Sequence, residues 1–496
     1  MKRSKFSLSN YKLLTCDMGE LVPIGLTEVL PGDSIQQTTS ALVRCSPLLA
    51  PVMHPVRVDI AHWFVPNRIV WDDWEDFITG GPDGNNASVF PTVTIGGGSG
   101  AAVGSLADYL GIPTGINNIE ASALPFRAYS MIWNEYYRDQ DLQTELTIST
   151  ASGADSTTNL ALQNACWEKD YFTSSRPWEQ KGPAVTVPIG TSAPVVRTNN
   201  AGPGARVYNA NTNTLNAGGT NVFIGTGGNA GNLEGSGGTR LTLDPNGGLI
   251  ADLSSASAVT VNALREALAL QRYEEARARF GSRYVEYLRY LGVNSSDARL
   301  QRPEYLGGGR QTVQFSEVLQ TAEGTDPVGE MRGHGIAASR TNRYRRFFEE
   351  HGYIVSLLTV RPKTIYAQGL PRTWNRRIKE DFWQKELQHI GQQEVLNKEV
   401  YAAHASPNGT FGFQDRYDEY RRTESTIAGE FRTTALNFWH FARIFGSTPA
   451  LNADFVKSVP TDRTFAVPSE DNLYIMAKHS IQARRLVAKT GQSFIY

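Results

Sequence analysis

Cysteine is scarce in this chain, and the three present (Cys16, Cys45 and Cys166) are far apart and form no CxxC pair. Neither a disulfide framework nor a zinc site is expected, and reduced thiols fit best. No apolar run reaches the roughly eighteen residues a membrane-spanning helix needs. Neither sign of charge dominates: 48 basic and 49 acidic side chains leave a net charge of −1, which excludes a bulk polycation. The opening residues are basic but have no apolar stretch behind them, so no signal peptide and a cytosolic folding compartment are expected. Catalytic signatures are missing too. There is no Gly-x-Ser-x-Gly, no Gly-Lys-Ser/Thr phosphate loop and no His-Glu-x-x-His, and the eight histidines are scattered. The sequence argues for no enzyme, no metal and no cofactor.

Glycine is what the chain has in one place. Between Ala201 and Ile250 lie thirteen glycines and eight asparagines, with four charges: Arg206, Glu234, Arg240 and Asp244. Such a segment has too little apolar side chain for a core of its own. It predicts glycine-rich turns between short strands such as Val222–Ile224 and Leu241–Leu243, a surface excursion over about 191–248.

The flanking chain reads mainly as strands. Val56, Val58, Ile60 and Phe64 share one parity between Pro55 and Pro66, and Pro31-Gly32-Asp33 predicts a turn between two further strands. Tyr353–Val360 is apolar almost throughout, which predicts burial on both faces. Leu473, Ile475, Ala477, Ile481 and Ala483 alternate with Tyr474, Lys478, Gln482 and Arg484, which predicts a half-buried strand near the C-terminus. Helices are expected at Trp71–Ile78, at Leu124–Gln140 with its recurring rings, and over about 258–292, where Val261, Leu264 and Leu268 form an apolar stripe. Strands at both ends need partners, which predicts a single sheet system closed by non-local pairing. A mainly β jelly roll or other β-sandwich with loop and helical insertions fits this pattern better than α/β alternation.

Two motifs invite chemistry and are weak. Gly96-x-Gly98-x-x-Ala101 after Val93–Ile95 resembles a dinucleotide fingerprint, but no βαβ unit follows. Ser9-x-x-Lys12 with Lys489-Thr-Gly491 imitates parts of a serine acyl-enzyme and lacks the third part. His62, on the apolar parity of its strand, is expected in the core. Lys2, Arg3, Lys5 and Lys12, with Phe6 and Tyr11 among them, form a basic-aromatic segment over 1–20, expected as a partly mobile arm able to meet phosphates and bases.

Several segments, taken in order, resemble the major capsid protein of the microviruses, small single-stranded-DNA bacteriophages, and most of all their gokushovirus branch. They include Leu30-Pro-Gly-Asp33, His62-Trp-Phe-Val-Pro-Asn-Arg68, Pro125-Phe-Arg-Ala-Tyr129, Ile132-Trp-Asn-Glu135, Leu300-Gln-Arg-Pro-Glu-Tyr-Leu-Gly-Gly308 and Val395-Leu-Asn-Lys-Glu-Val-Tyr401. The resemblance implies an eight-stranded antiparallel jelly roll. It implies an icosahedral shell of about sixty copies, with two-, three- and five-fold contacts, enclosing circular single-stranded DNA. It also implies internal scaffolding, pilot and small DNA-binding phage proteins as partners, and a virion location after assembly in the bacterial cytoplasm. In that family a long insertion forms a protrusion around the three-fold axes and meets a host receptor. Here 191–248 would take that place, with Arg197, Arg206, Tyr208, Asn211, Phe223 and Arg240 as candidate receptor contacts. Two other readings stay open at this stage: a carbohydrate-binding or adhesin-like β-sandwich, and a nucleotide-dependent enzyme using Gly96–Gly100.

Overall fold

The computed structural model describes residues 3–82, 84–183, 185, 195–197, 207–209, 223–224, 233–235, 239–243, 249–251, 261–280, 284–293, 301–324 and 327–489. The chain divides into two compact units: Met1–Lys181 with Glu275–Tyr496, and Gly182–Glu274.

The larger unit is built on two antiparallel sheets. In the first, Leu473–Arg485 pairs along one edge with Ser34–Cys45, from Leu473↔Cys45 to Arg484↔Ser34. Its other edge takes Ser4–Ser7 and Asn10–Cys16. Ser34–Cys45 also pairs with Met331–Arg340 and Tyr344–Phe347, and Gln314–Leu319 lies beyond. The second sheet runs in the order Glu304–Thr312, Val56–Pro66, Gly352–Pro362, Val22–Val29. The two ends of the chain therefore share a sheet by non-local pairing.

The Pro31–Asp33 turn shows how local chemistry sets this up. Gly32 sits at φ 84°, a left-handed conformation that glycine reaches without strain. Asp33 is fully buried; its backbone N–H donates to Leu30 O at 3.0 Å, and its carboxylate accepts from Leu30 N–H and pairs with Arg485 at 3.0 Å. The turn thus pins the start of one central strand to the end of the other.

Residues of both sheets meet in one core. Val22, Ile24, Val43, Val58, Ile60, Leu358, Ile475 and Ala477 form one apolar cluster; Val29, Ile35, Phe64, Ile354, Ile481 and Ala483 form another. Between them each strand turns polar on the same inward face: Gln37 and Thr39, His62, Ser356, and His479, all buried. His479 Nε2 donates to Ile24 O at 2.8 Å, which leaves Nδ1 to accept from the Thr39 hydroxyl at 2.9 Å. His62 Nδ1 meets Ser356 Oγ at 2.8 Å, and Tyr344 O–H donates to Gln37 Oε1 at 2.7 Å. A buried polar belt of this kind is tolerated because its members satisfy one another. Burial lowers the pKa of His62 to about 3, with a smaller push from His479, and lowers that of His479 as well.

The two sheets differ in what covers their outer faces. Trp63 and Val65, with Val355 and Leu357, turn away from the sandwich core and pack against Leu124–Ile132 in a third cluster with Phe126, Tyr129 and Trp71. Burial on both faces is why Tyr353–Val360 is almost wholly apolar. Among the described residues the outer face of the first sheet has no such cover, and Leu473–Arg485 alternates buried and exposed along its length until its last residue.

Some expectations are corrected. The basic N-terminal segment, expected as a partly mobile arm over 1–20, forms regular strands from Ser4, because it supplies the unpaired edge of Leu473–Arg485 with backbone partners; Met1 and Lys2 lie outside the described residues. The helix expected to Gln140 ends as an α-helix at Ile132 and continues as a π-turn over Trp133–Tyr137. Thr92–Ile95 pairs antiparallel with Ile119–Ser122, so the Gly96 segment belongs to no parallel βαβ unit. Ser9 Oγ donates to Ile481 O and accepts from Ile481 N–H, a strand-edge role rather than a nucleophile's.

In the smaller unit, Val207–Asn209, Thr239–Leu243, Leu233–Gly235 and Phe223–Ile224 form one antiparallel sheet, and Leu249–Ala251 pairs with Val195–Arg197. Within the helical stretch expected over about 258–292, Val261–Phe280 begins in the smaller unit, and Tyr284–Tyr290 belongs to the larger. In its apolar stripe Val261 is 64 % and Leu268 59 % exposed.

Candidate nucleic-acid interface

The uncovered face of the first sheet can be read row by row from the strand register. Lys5 pairs with Arg484, Arg484 with Ser34, and Ser34 with Phe347. The next outward row is Ser7, Gln482, Gln36 and Arg345. Farther along come Tyr11, Lys478, Ser40 and Arg340, then Leu13, Met476, Leu42 and Ala338, then Thr15, Tyr474, Arg44 and Ile336. Residues in one row share a face because side chains alternate along a strand.

No carboxylate occupies an outward position in any of these rows. Lys5, Arg44, Arg340, Arg345, Lys478 and Arg484 stand there, and none of the six is ion-paired among the described residues. Elsewhere arginines are mostly compensated: Arg57, Arg310 and Arg361 all reach Asp59, and Arg127 reaches Asp155. Carboxylates do occur at the margins, where Asp471 accepts from Thr15 Oγ1 and Glu330 pairs with Arg332. Rings are interleaved with the charge. Arg3 lies over the Phe347 ring at 4.8 Å and donates to Ser34 Oγ, and Lys478 lies over Tyr11 at 5.5 Å.

From Arg44 and Tyr474 to Arg484 the strip extends roughly 34 Å along the strands. It is a cationic, aromatic-dotted surface on a chain whose net charge is −1. Such a surface suits a polyanion held through its backbone, without reading of sequence.

Of the residues singled out from the sequence, Arg3 and Lys5 join this face. Lys12 does not. Its inward parity puts its ammonium against Pro23 O, at 2.8 Å, and Tyr109 O, and burial lowers its pKa to about 8, against an opposing pull from Asp108. Lys2 lies outside the described residues. So do Arg206 and Asn211; Arg197, Tyr208, Phe223 and Arg240 fall in short strands of the smaller unit, and their side chains lie outside what is described. Sequence reading missed Arg44, Arg340 and Arg345. One signal was available: the polar positions of the C-terminal strand carry Lys478, Gln482 and Arg484 and no acid.

A two-sheet antiparallel sandwich of this kind has the form of a structural protein. The comparisons with known proteins agree. A family model for the phage capsid protein (F protein) matches residues 1–495. The chain is 39 % identical over 483 residues to capsid protein VP1 of Bdellovibrio phage phiMH2K, covering 95 % of this chain and 90 % of that one. It is 34 % identical over 548 residues to capsid protein VP1 of Chlamydia phage 1, covering 95 % and 92 %. It is 33 % identical over 504 residues to capsid protein VP1 of Spiroplasma virus 4, covering 95 % and 90 %. The chain belongs to the phage capsid protein F family, and these three relatives are major capsid proteins of gokushovirus-like microviruses. It is a structural, shell-forming component of the virion and not an enzyme.

Proposed function

We propose that this chain folds as an eight-stranded jelly roll and assembles into an icosahedral shell whose interior wall includes the outer face of the first sheet, laid against single-stranded DNA. The strand order supports the jelly roll: N-terminal, C-terminal, Ser34–Cys45 and Met331–Arg340 in one sheet, and Val22–Val29, Gly352–Pro362, Val56–Pro66 and Glu304–Thr312 in the other. Counting the two N-terminal segments as one strand, successive strands of these eight alternate between sheets except Val56–Pro66 and Glu304–Thr312, which pair with each other, the pattern of a doubled Greek key. About sixty copies related by two-, three- and five-fold axes would close the shell, each held by several modest contacts.

The observation that carries the DNA reading is the run of six cations that, among the described residues, have no ion-pair partner and no outward carboxylate beside them. Phosphate is the polyanion that a phage shell must hold, and an unpaired base adds a stacking partner for Tyr474. Residues 191–248 are proposed as a protrusion that meets the host, since a glycine- and asparagine-rich surface segment tolerates change at little cost to the body. Internal scaffolding, pilot and small DNA-binding proteins would share the packaging.

The test is a chain carrying Lys5→Gln, Arg345→Gln, Lys478→Gln and Arg484→Gln. Particles should form, as seen by electron microscopy, with less DNA per particle than wild type. Wild-type DNA content would overturn this assignment of the face.

A further inference from the structure

At the Arg44–Tyr474 end of the cationic face the sheet is not flat. A cleft of about 610 Å3 opens between the outward rows and the turn leading into the short helix Leu106–Leu110. Its walls include Leu13, Leu42, Met476, Tyr474, Val103 and Arg44. Leu13 is 77 % exposed and Val103 82 %, an unusual placing for large aliphatic side chains on a surface otherwise lined by cations.

The polar groups of the cleft are already engaged. Lys12 donates to two backbone carbonyls, and Asp108 accepts from Gly104 N–H at 2.9 Å. Tyr109 O–H donates to Thr15 O at 2.7 Å, and Thr15 Oγ1 is taken by Asp471. Arg44 alone among these charged groups keeps its donors uncommitted within the described residues. The cleft therefore offers an aromatic ring, aliphatic walls and one free guanidinium at its rim. It offers no arrangement of donors and acceptors that would read the edge of a particular base.

Resting on the reading of the face as DNA-bound, we propose that this cleft takes an unstacked nucleobase. The base inserts against Tyr474, Leu13 and Met476 while Arg44 holds an adjoining phosphate, and the backbone continues along Lys478, Arg345 and Arg484. Charge argues for nucleic acid over an apolar side chain of another subunit, because the cleft is continuous with the cationic rows and the cation at its mouth is unpaired. The volume lies within the range of small-molecule sites and admits purine or pyrimidine. Binding is therefore sequence-tolerant, and its gain comes from stacking and from removing the aliphatic wall from water.

The experiment compares a ten-nucleotide oligothymidylate with a ten-unit abasic strand of the same phosphate count, binding to full-length unassembled protein followed by fluorescence anisotropy. The base-bearing strand is expected to bind roughly tenfold tighter, the effect of about one stacked base. Tyr474→Ala is expected to bring it down to the abasic level, and Leu13→Ala part of the way; both residues are exposed, so thermal unfolding should confirm the fold. Lys478→Gln should weaken both strands alike. Equal binding of the two strands by wild type would overturn the base cleft and leave the phosphate reading standing. Binding of neither strand would overturn both. A preference that survives Tyr474→Ala would place the base elsewhere, and loss of assembly with oligonucleotide binding unchanged would give the cleft to a neighbouring subunit. Either result sinks the proposal.

Discussion

The guanidinium of Arg127 and the carboxylate of Asp155 lie 2.9 Å apart with neither side chain exposed to solvent. Arg127 also donates to Val70 O at 3.0 Å and Ala151 O at 2.9 Å, so one buried cation ties two loop segments to the helix over the second sheet. Burial alone would push the Asp155 carboxyl up; hydrogen bonds from Thr158, Thr157 and Arg127 outweigh it and hold the pKa at about 2. Removing one partner of such a pair leaves the other buried and uncompensated. Arg127→Met is expected to cost about 3–5 kcal/mol, read as lost soluble yield or a lower urea midpoint. Unchanged stability would mean that the loops hold without the pair.

The polar belt makes the sandwich acid-sensitive. His62 titrates near 3 when folded and near 6.5 when unfolded. Between those values the unfolded chain binds a proton that the folded chain refuses. Stability is thus complete above about pH 6.5 and drains away as pH falls toward 3. The loss is up to about 1.4 kcal/mol per pH unit for one such histidine. Urea unfolding of unassembled protein at pH 7 and pH 5 should show it, and His62→Gln should flatten the dependence. Because Glu20 and Glu424, both pushed up to about 7 mainly by burial, act in the opposite sense, the deciding comparison is with the variant: equal shifts of midpoint in wild type and His62→Gln between pH 7 and pH 5 would contradict the burial of neutral His62.

Gly333 is a packing requirement rather than a turn. Its backbone bridges to Leu48 by hydrogen bonds of 3.1 and 3.3 Å, and a Cβ there would lie 2.1 Å from Ala50 O. No side-chain rotation relieves a clash with backbone. Gly333→Ala should therefore lower the thermal midpoint by several degrees or abolish soluble expression, whereas Gly98→Ala, with open space around it, should do neither.

The pattern of period two made the half-buried C-terminal strand and the Val56–Phe64 strand legible, because one bare or polar face leaves its mark on every second residue. The both-face burial of Tyr353–Val360 was legible for the converse reason. The π-turn at Trp133 was not, since Trp133, Tyr136 and Tyr137 keep helical spacing in either geometry. The cationic face was illegible for a topological reason. Lys5, Arg44, Arg340 and Arg484 are neighbours only through pairings of strands hundreds of residues apart. Lys12 was misjudged because closeness in sequence to Lys5 says nothing about facing: the register runs unbroken through both segments, and Lys12 stands on the opposite parity.

The same face fixes a salt dependence. Each phosphate contact to single-stranded DNA contributes about −0.7 to the slope of log K against log salt. The Lys5, Arg345, Lys478 and Arg484 to Gln variant should flatten the slope by up to about 3. Replacing the ion-paired Arg57 and Arg310 should leave it unchanged. Equal slopes for wild type and the four-site variant would show that the phosphates lie elsewhere.

The glycine-rich excursion can be cut at a defined place. Arg197 and Leu249 are register partners in an antiparallel pair, so their Cα atoms stand only about 5 Å apart. Residues 198–248 can therefore be replaced by a two- to four-residue Gly/Asn turn without stretching the chain. The strands removed, Val207–Asn209, Phe223–Ile224, Leu233–Gly235 and Thr239–Leu243, pair only with one another among the described residues. The excised chain should keep the wild-type unfolding midpoint within about 1 kcal/mol, because a shorter loop costs less to close. Its particles, if the excursion serves the host surface, should lose infectivity while keeping their DNA. Loss of the folded body would instead make the excursion part of the scaffold, and full infectivity would take host attachment away from it.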